Sequence, residues 1–220
     1  MSVLRDPSAA GSRLLAQPLV RLADGHPHHA QVQVATGHTR RRRAPAQDEL
    51  AARAAVHALR AGQVAGALIE VSPGLLCDGA GRKRLLAELE AAGPSADAIW
   101  VQVPEAAVLE AFGPADRLAR GLLRLGCRFV LQDAGFGYVA VQAFKLLPIA
   151  AISIDTQLVT DTTQRAGARA LTRTLVEIAR ERGVETIAAG VDTPEAAHAL
   201  RCMGVHHAVG DGVAAPLPLG

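Results

Sequence analysis

Phe129-Val-Leu-Gln-Asp-Ala-Gly-Phe-Gly-Tyr138, followed by Ile152-Ser-Ile-Asp-Thr156, is the stretch that decides the fold. An apolar strand delivers an acidic residue, Asp133, into a glycine-rich turn. A helix is predicted over Gly137–Leu147, and a second apolar strand ends at Asp155. Two strands joined by a helical crossover pair in parallel. In a parallel α/β barrel the site is built where the strands end at their carboxyl side. Here those ends carry Asp133 beside Gln132, with Ser153 on the next strand. The scaffold of an enzyme is present, and most of its reagents are missing.

The same rhythm extends outward in both directions. Upstream, Leu14–Leu22 and His29–Ala35 read as a hairpin, the second with polar–apolar alternation of period two. Asp48 leads a helix to Ala61. Strands are predicted over Ala65–Val71, Ala98–Val103, Arg128–Leu131, Ile149–Ile154, Glu185–Ala188 and His206–Val209. Helices fall between them: Lys83–Ala92, Glu105–Leu125 with a break near Gly113-Pro114, Gln164–Arg182 closed by Gly183, and Thr193–Met203. Thr193 suits the cap of the last helix, and Pro194 its first position. Eight strands alternating with helices predict an α/β fold, a TIM-like (β/α)8 barrel with an irregular first hairpin. Residues 1–11 read as a flexible N-terminus and 12–220 as one domain.

Composition excludes several classes. Half of the 220 residues are hydrophobic, enough for a large core, and the formal net charge of +2 names no charged partner. Aromatic residues make up 3%, too few for base-stacking platforms. Three scattered cysteines, Cys77, Cys127 and Cys202, give neither a disulfide framework nor a zinc knuckle. No apolar run is long enough for a membrane span, and a cytoplasmic protein is expected. Arg40–Arg43 reads as a solvated loop; nucleic acid is not expected as a partner, because no helix-turn-helix or other reading element accompanies the run. His26-Pro-His28-His29 reads as a surface cluster in a hairpin turn, and one of His206 and His207 as a satisfied core histidine.

Seven motifs in order then resemble one family, the EAL domain of cyclic-di-GMP phosphodiesterases. Gln17-Pro-Leu-Val20 is similar to its opening Q-P-I-V, Leu68-Ile-Glu-Val-Ser-Pro73 to V-N-L-S-P, and Ile99-Trp-Val-Gln-Val-Pro-Glu105 to L-x-L-E-I-T-E. Leu131-Gln-Asp-Ala-Gly-Phe-Gly-Tyr138 resembles D-D-F-G-T-G-Y. Leu147-Pro148 with Ile152-Ser-Ile-Asp155 resembles L-P-x-D-x-L-K-I-D. Ala188-Ala-Gly-Val-Asp-Thr193 resembles A-E-G-V-E-T, and Val209-Gly210 through Pro216-Leu-Pro218 the closing Q-G-Y…P-L-P. The resemblance implies a barrel of EAL type, with a shortened segment around residues 36–64 where the family has a site-lining helix.

For activity the resemblance implies loss. The family's two divalent metals are held by carboxylates. The Glu that names the family falls near Gln31, a metal-binding Asn on Glu70, the next strand's Glu on Gln102, and the first Asp of the pair on Gln132. Asp133 keeps the second Asp. The catalytic Lys falls on Ser153, a Glu on Ala189, and a phosphate-clamping Arg near Ala35. The closing Gln-Gly-Tyr falls on Val209-Gly210-Asp211. The expectation is therefore no catalytic residue, no metal and no cofactor. A vestigial ligand site is expected at Gln17, Gln31, Glu70, Gln102, Gln132, Asp133 and Asp155. The implied role is a catalytically inactive EAL-like module that works through a regulatory protein partner in bacterial signalling, without binding cyclic-di-GMP. The alternative is a non-hydrolysing cyclic-di-GMP receptor whose partner binding is nucleotide-switched. By resemblance alone, Gly137–Leu147 is also the place for a homodimer contact.

Overall fold

Alternation of period two on the strands decides where the core sits. The computed structural model describes residues 13–35, 44–134 and 145–219, with the backbone alone for Arg13 and Ala35. Its strands are β1 (Arg13–Arg21), β2 (Pro27–Ala35), β3 (Ala67–Glu70), β4 (Ile99–Pro104), β5 (Arg128–Ala134), β6 (Ile149–Ile154), β7 (Glu185–Ala189) and β8 (His207–Val209). They follow one another in sheet order from β2 to β8, and β1 closes the ring between β8 and β2. Strands β2 to β8 are parallel, whereas β1 is antiparallel to both neighbours. A short β9 (Leu217–Pro218) pairs with Leu15 and Ala16 of β1. The predicted mixed barrel with its irregular hairpin is the observed fold.

Alternate residues of the strands meet inside the ring. Leu19, Leu68, Trp100, Val130, Ala151, Ile187 and Val209 form one buried layer across it. The other face of the same strands packs on helices: Ile69, Val101, Val103, Phe129 and Leu131 meet Ala55, Leu75, Leu85, Leu118 and Leu122. Strands buried on both faces need continuous apolar runs, which Ile99-Trp-Val and Phe129-Val-Leu supply.

Helices α1 (Pro45–Arg60), α2 (Pro73–Cys77), α3 (Gly79–Glu90), α4 (Glu105–Glu110), α5 (Phe112–Leu125), α6 (Thr156–Asp161), α7 (Ala166–Glu181) and α8 (Pro194–Cys202) form the outer ring. α5 buries Ala115, Leu118, Ala119 and Leu122 at helical spacing and stops at Gly126, whose φ of 85° is left-handed. Thr193 caps α8 as predicted, its hydroxyl accepting from Ala196 N–H at 3.2 Å.

Local chemistry explains the departures from sequence. Asp48 does not lead α1, which starts at Pro45. It lies buried in the first turn, and its carboxylate accepts Ser72 N–H at 2.8 Å. Ser72 in turn caps α2, a helix too short to show a period. α3 begins at Gly79 under the Asp78 cap, four residues ahead of the predicted Lys83. The break between α4 and α5 falls at Ala111 rather than at Gly113-Pro114, since a proline is tolerated in a first turn. The Arg40–Arg43 run and nearly all of the predicted Gly137–Leu147 helix lie outside the described residues.

The amino-terminal end of the barrel is floored by histidines, and here the expectation of a surface cluster is corrected. His29 and His207 are buried, His28 half-buried, and the rings of His29 and His207 lie 4.5 and 5.5 Å from the Trp100 ring. His28 Nδ1 approaches His29 Nδ1 at 2.6 Å. His207 Nε2 sits 2.5 Å from Glu185 Oε2, and Arg128 pairs with the same carboxylate at 3.3 Å while covering Trp100. Burial, with the neighbouring His28 and His207, pushes His29 down to about 3. No side chain fits above Gly66: a Cβ there would lie 2.4 Å from the His29 ring.

Candidate functional site

The same alternation that fills the barrel also builds its mouth. Two residues beyond the buried layer, each strand presents its next inward position: Glu70 after Leu68, Gln102 after Trp100, Gln132 after Val130, Ser153 after Ala151, and Ala189 after Ile187. On β2 the corresponding residue is Gln31. On β1, which runs the other way, it is Gln17, directly opposite Gln31 in register. All of these line one cavity of about 400 Å³ at the carboxyl ends of the parallel strands. This is where a parallel barrel places its site.

Six of the seven residues expected from sequence, Gln17, Gln31, Glu70, Gln102, Gln132 and Asp133, are brought together here. The seventh is corrected. Asp155 does not line the cavity; its carboxylate accepts Leu158 N–H at 3.0 Å and caps α6, a helix not anticipated from sequence. Replacing Asp155 by alanine is expected to cost about 1 kcal/mol in urea denaturation, the usual worth of an N-cap, and to leave ligand binding at the mouth unchanged.

Backbone geometry sets the rim. Gln132 and Asp133 form a bulge against β6, where the pairing register shifts between Leu131 and Ala134. Asp133 is held at φ 54°, a left-handed conformation that aspartate tolerates better than most residues. On the far side, Gly210 lets the end of β8 cross the β7–α8 turn: a Cβ there would lie 2.4 Å from the Val191 carbonyl oxygen. That crossing brings Asp192 and Asp211 to the rim, where Asp211 accepts a hydrogen bond from Gln17 Nε2 at 3.2 Å. Thr156, Gly190 and Asp192 also line the cavity and were missed from sequence. They lie on connections whose direction no periodicity reveals.

Amides take the deepest polar positions of the mouth, and carboxylates (Glu70, Asp133, Asp192 and Asp211) also line it. Gln31, Gln102 and Ser153 are 8%, 3% and 2% exposed, so their neutral groups occupy the deepest polar positions. Hard dications require several anionic oxygens, and an amide oxygen is a poor substitute. Among the described residues, no three His, Cys, Asp or Glu are grouped so as to hold a metal ion. The arrangement offers hydrogen-bonding amides and hydroxyls beside the carboxylates of Glu70, Asp133, Asp192 and Asp211. None of the described helices is long and apolar enough to cross a membrane.

Comparison with known proteins follows the same outline. The family model described as "EAL domain" matches residues 3–216. The cyclic di-GMP phosphodiesterase NbdA of Pseudomonas aeruginosa is 26% identical over 205 residues, which cover 84% of this chain and 26% of that protein. The chain thus spans about a quarter of that relative's length. The EAL domain of Mycobacterium smegmatis DcpA superposes with a TM-score of 0.81 at 22% identity, covering 94% of this chain and 93% of that one. The Xanthomonas citri FimX EAL domain, solved in complex with c-diGMP, gives 0.81 at 20% identity over 96% and 90%.

Proposed function

The chain belongs to the EAL domain family, and from that premise we propose that it acts in cyclic-di-GMP signalling as a catalytically inactive regulatory module that engages a protein partner. One observation carries this reading: four of the inward positions of the mouth are Gln17, Gln31, Gln102 and Gln132, which leaves Glu70 as the one carboxylate among the inward positions where a two-metal centre would need several. Ser153 offers a neutral hydroxyl beside them, and its side chain is buried against the strands. Among the described residues no three His, Cys, Asp or Glu are grouped to hold a dication, so the mouth suits orienting and hydrogen-bonding a ligand better than metal-assisted hydrolysis. The residual use of such a barrel is recognition.

A second reading, a receptor that binds cyclic-di-GMP without cleaving it, has the FimX complex as its precedent. The described cavity walls speak against it. Asp192 and Asp211 stand on the rim and no lysine or arginine is among the described lining residues, an unfavourable setting for a dianionic dinucleotide.

Calorimetric titration of the purified chain with cyclic-di-GMP, with and without magnesium or calcium, tests both. The expected outcome is no heat of binding at micromolar ligand and no linear dinucleotide product after prolonged incubation with metal. Product formation overturns the reading; binding without product favours the receptor.

A further inference from the structure

The mouth has a charge and hydrogen-bonding character that points to a ligand class of its own. Gln31 and Gln102 are more than nine-tenths buried, line the cavity, and form no side-chain hydrogen bond with any described residue. Gln132 Oε1 is likewise buried without a partner. Burying a polar atom unpaired costs on the order of 1–3 kcal/mol, so the orphaned Gln132 oxygen, facing the same cavity as the Gln31 and Gln102 amides, marks a place where a hydrogen-bonding partner arrives from outside. Around them the rim is acidic. Asp192 and Asp211 stand on the crossing loops, and no basic residue lies among the described lining residues. Amide oxygens and carboxylates together make an acceptor-rich, negative concavity. Anions are repelled there, and the amides are too weak as ligands to strip water from a hard inorganic dication.

We propose that the barrel mouth binds an organic cation, a guanidinium or primary ammonium group, supplied either by a small molecule or by an arginine or lysine side chain of a protein partner. Such a group carries several N–H donors in a compact volume and no acceptor, the complement of this wall. Its charge is drawn to Asp192 and Asp211, while its donors reach Gln31, Gln102 and Gln132. The inference deepens the inactive-module reading and rests on it, because two bound divalent metals would offset the negative charge that draws this cation.

The test uses nitrogen-labelled protein and follows the side-chain amide signals of Gln31, Gln102 and Gln132 by NMR. Ethylguanidinium and propylammonium are expected to shift these signals saturably, and propionate to leave them in place. The charge-neutralising pair Asp192→Asn and Asp211→Asn, both on the rim, is expected to weaken cation binding about tenfold while the remaining spectrum stays native. A blocked arginine tripeptide that binds more tightly than ethylguanidinium identifies a protein side chain as the source, and weaker binding a free small molecule. The proposal is overturned by absent shifts, by equal shifts with propionate, by magnesium chloride reproducing the shifts at equal concentration, or by undiminished affinity in the rim variant. Hydrolysis of cyclic-di-GMP by the same sample tests the underlying reading separately. Turnover alongside cation binding overturns inactivity, and silence in both assays overturns the cation site.

Discussion

Lowering the pH from about 7.5 to about 5 is expected to remove about 2 kcal/mol of folding stability through His29 alone. The imidazole is buried at the barrel floor against Trp100, and its value falls from an ordinary 6.5 to about 3 in the folded chain. Its folded value is depressed, so the unfolded chain takes up the proton first. The contribution is complete above about 6.5 and fades as the pH falls toward about 3. Around His29 stand His28, His207 and Arg128, which oppose its protonation, and Glu185, which favours it weakly. His28 is lowered in the same direction, chiefly by burial and then by His207, so it adds to the effect. Urea denaturation at the two pH values measures the change. His29→Leu is expected to shrink the difference by about 2 kcal/mol; a difference of the same size in that variant would show that other groups dominate the acid response.

Replacing Trp100 by alanine is expected to cost about 4 kcal/mol, the largest loss from any single truncation in this barrel. The ring is 1% exposed and fills the centre of the interior layer between Leu68 and Val130. It also carries the floor: His29 and His207 rest on it from below, and the Arg128 guanidinium lies 5.7 Å from its centroid. Truncation opens a cavity and removes the indole on which two buried imidazoles rest. Because Trp100 is the one tryptophan of the chain, unfolding of the variant is followed by circular dichroism rather than by fluorescence. Trp100→Phe keeps an aromatic face and is expected to lose less than half as much. A cost below about 1 kcal/mol for the alanine variant would mean that the interior layer is not tightly packed.

How far the sequence discloses this molecule depends on which residues obey a period. The interior of the barrel was open to reading because each strand repeats every second residue. The step from Trp100 to Gln102, or from Val130 to Gln132, carries a core position to a mouth position. Six of seven expected site residues therefore met in one cavity. Asp155 did not, because a carboxylate at a strand end serves a helix cap as well as a site, and α6 is too short to declare itself. Asp192 escaped notice for a related reason. Its place depends on Gly210 letting two loops cross, a contact between residues remote in sequence. The histidine floor was misplaced because His28 and His29 look like a turn until β2 is seen to begin at Pro27.

The closing of the ring has a consequence for how the chain comes into being. β1, near the start, is the staple that joins β2 to β8, and β9 folds back on it, with Leu219 N–H donating to the Leu14 carbonyl at 3.0 Å. During synthesis the first hairpin emerges before the rest of the barrel, and its other edge has nothing to pair with until β8 and β9 follow. The nascent domain must therefore carry an open, twisted sheet with two unsatisfied margins until β8 is made. Contacts of this sequence separation make folding slow, and the unpaired margins are the surface a chaperone would be needed to guard.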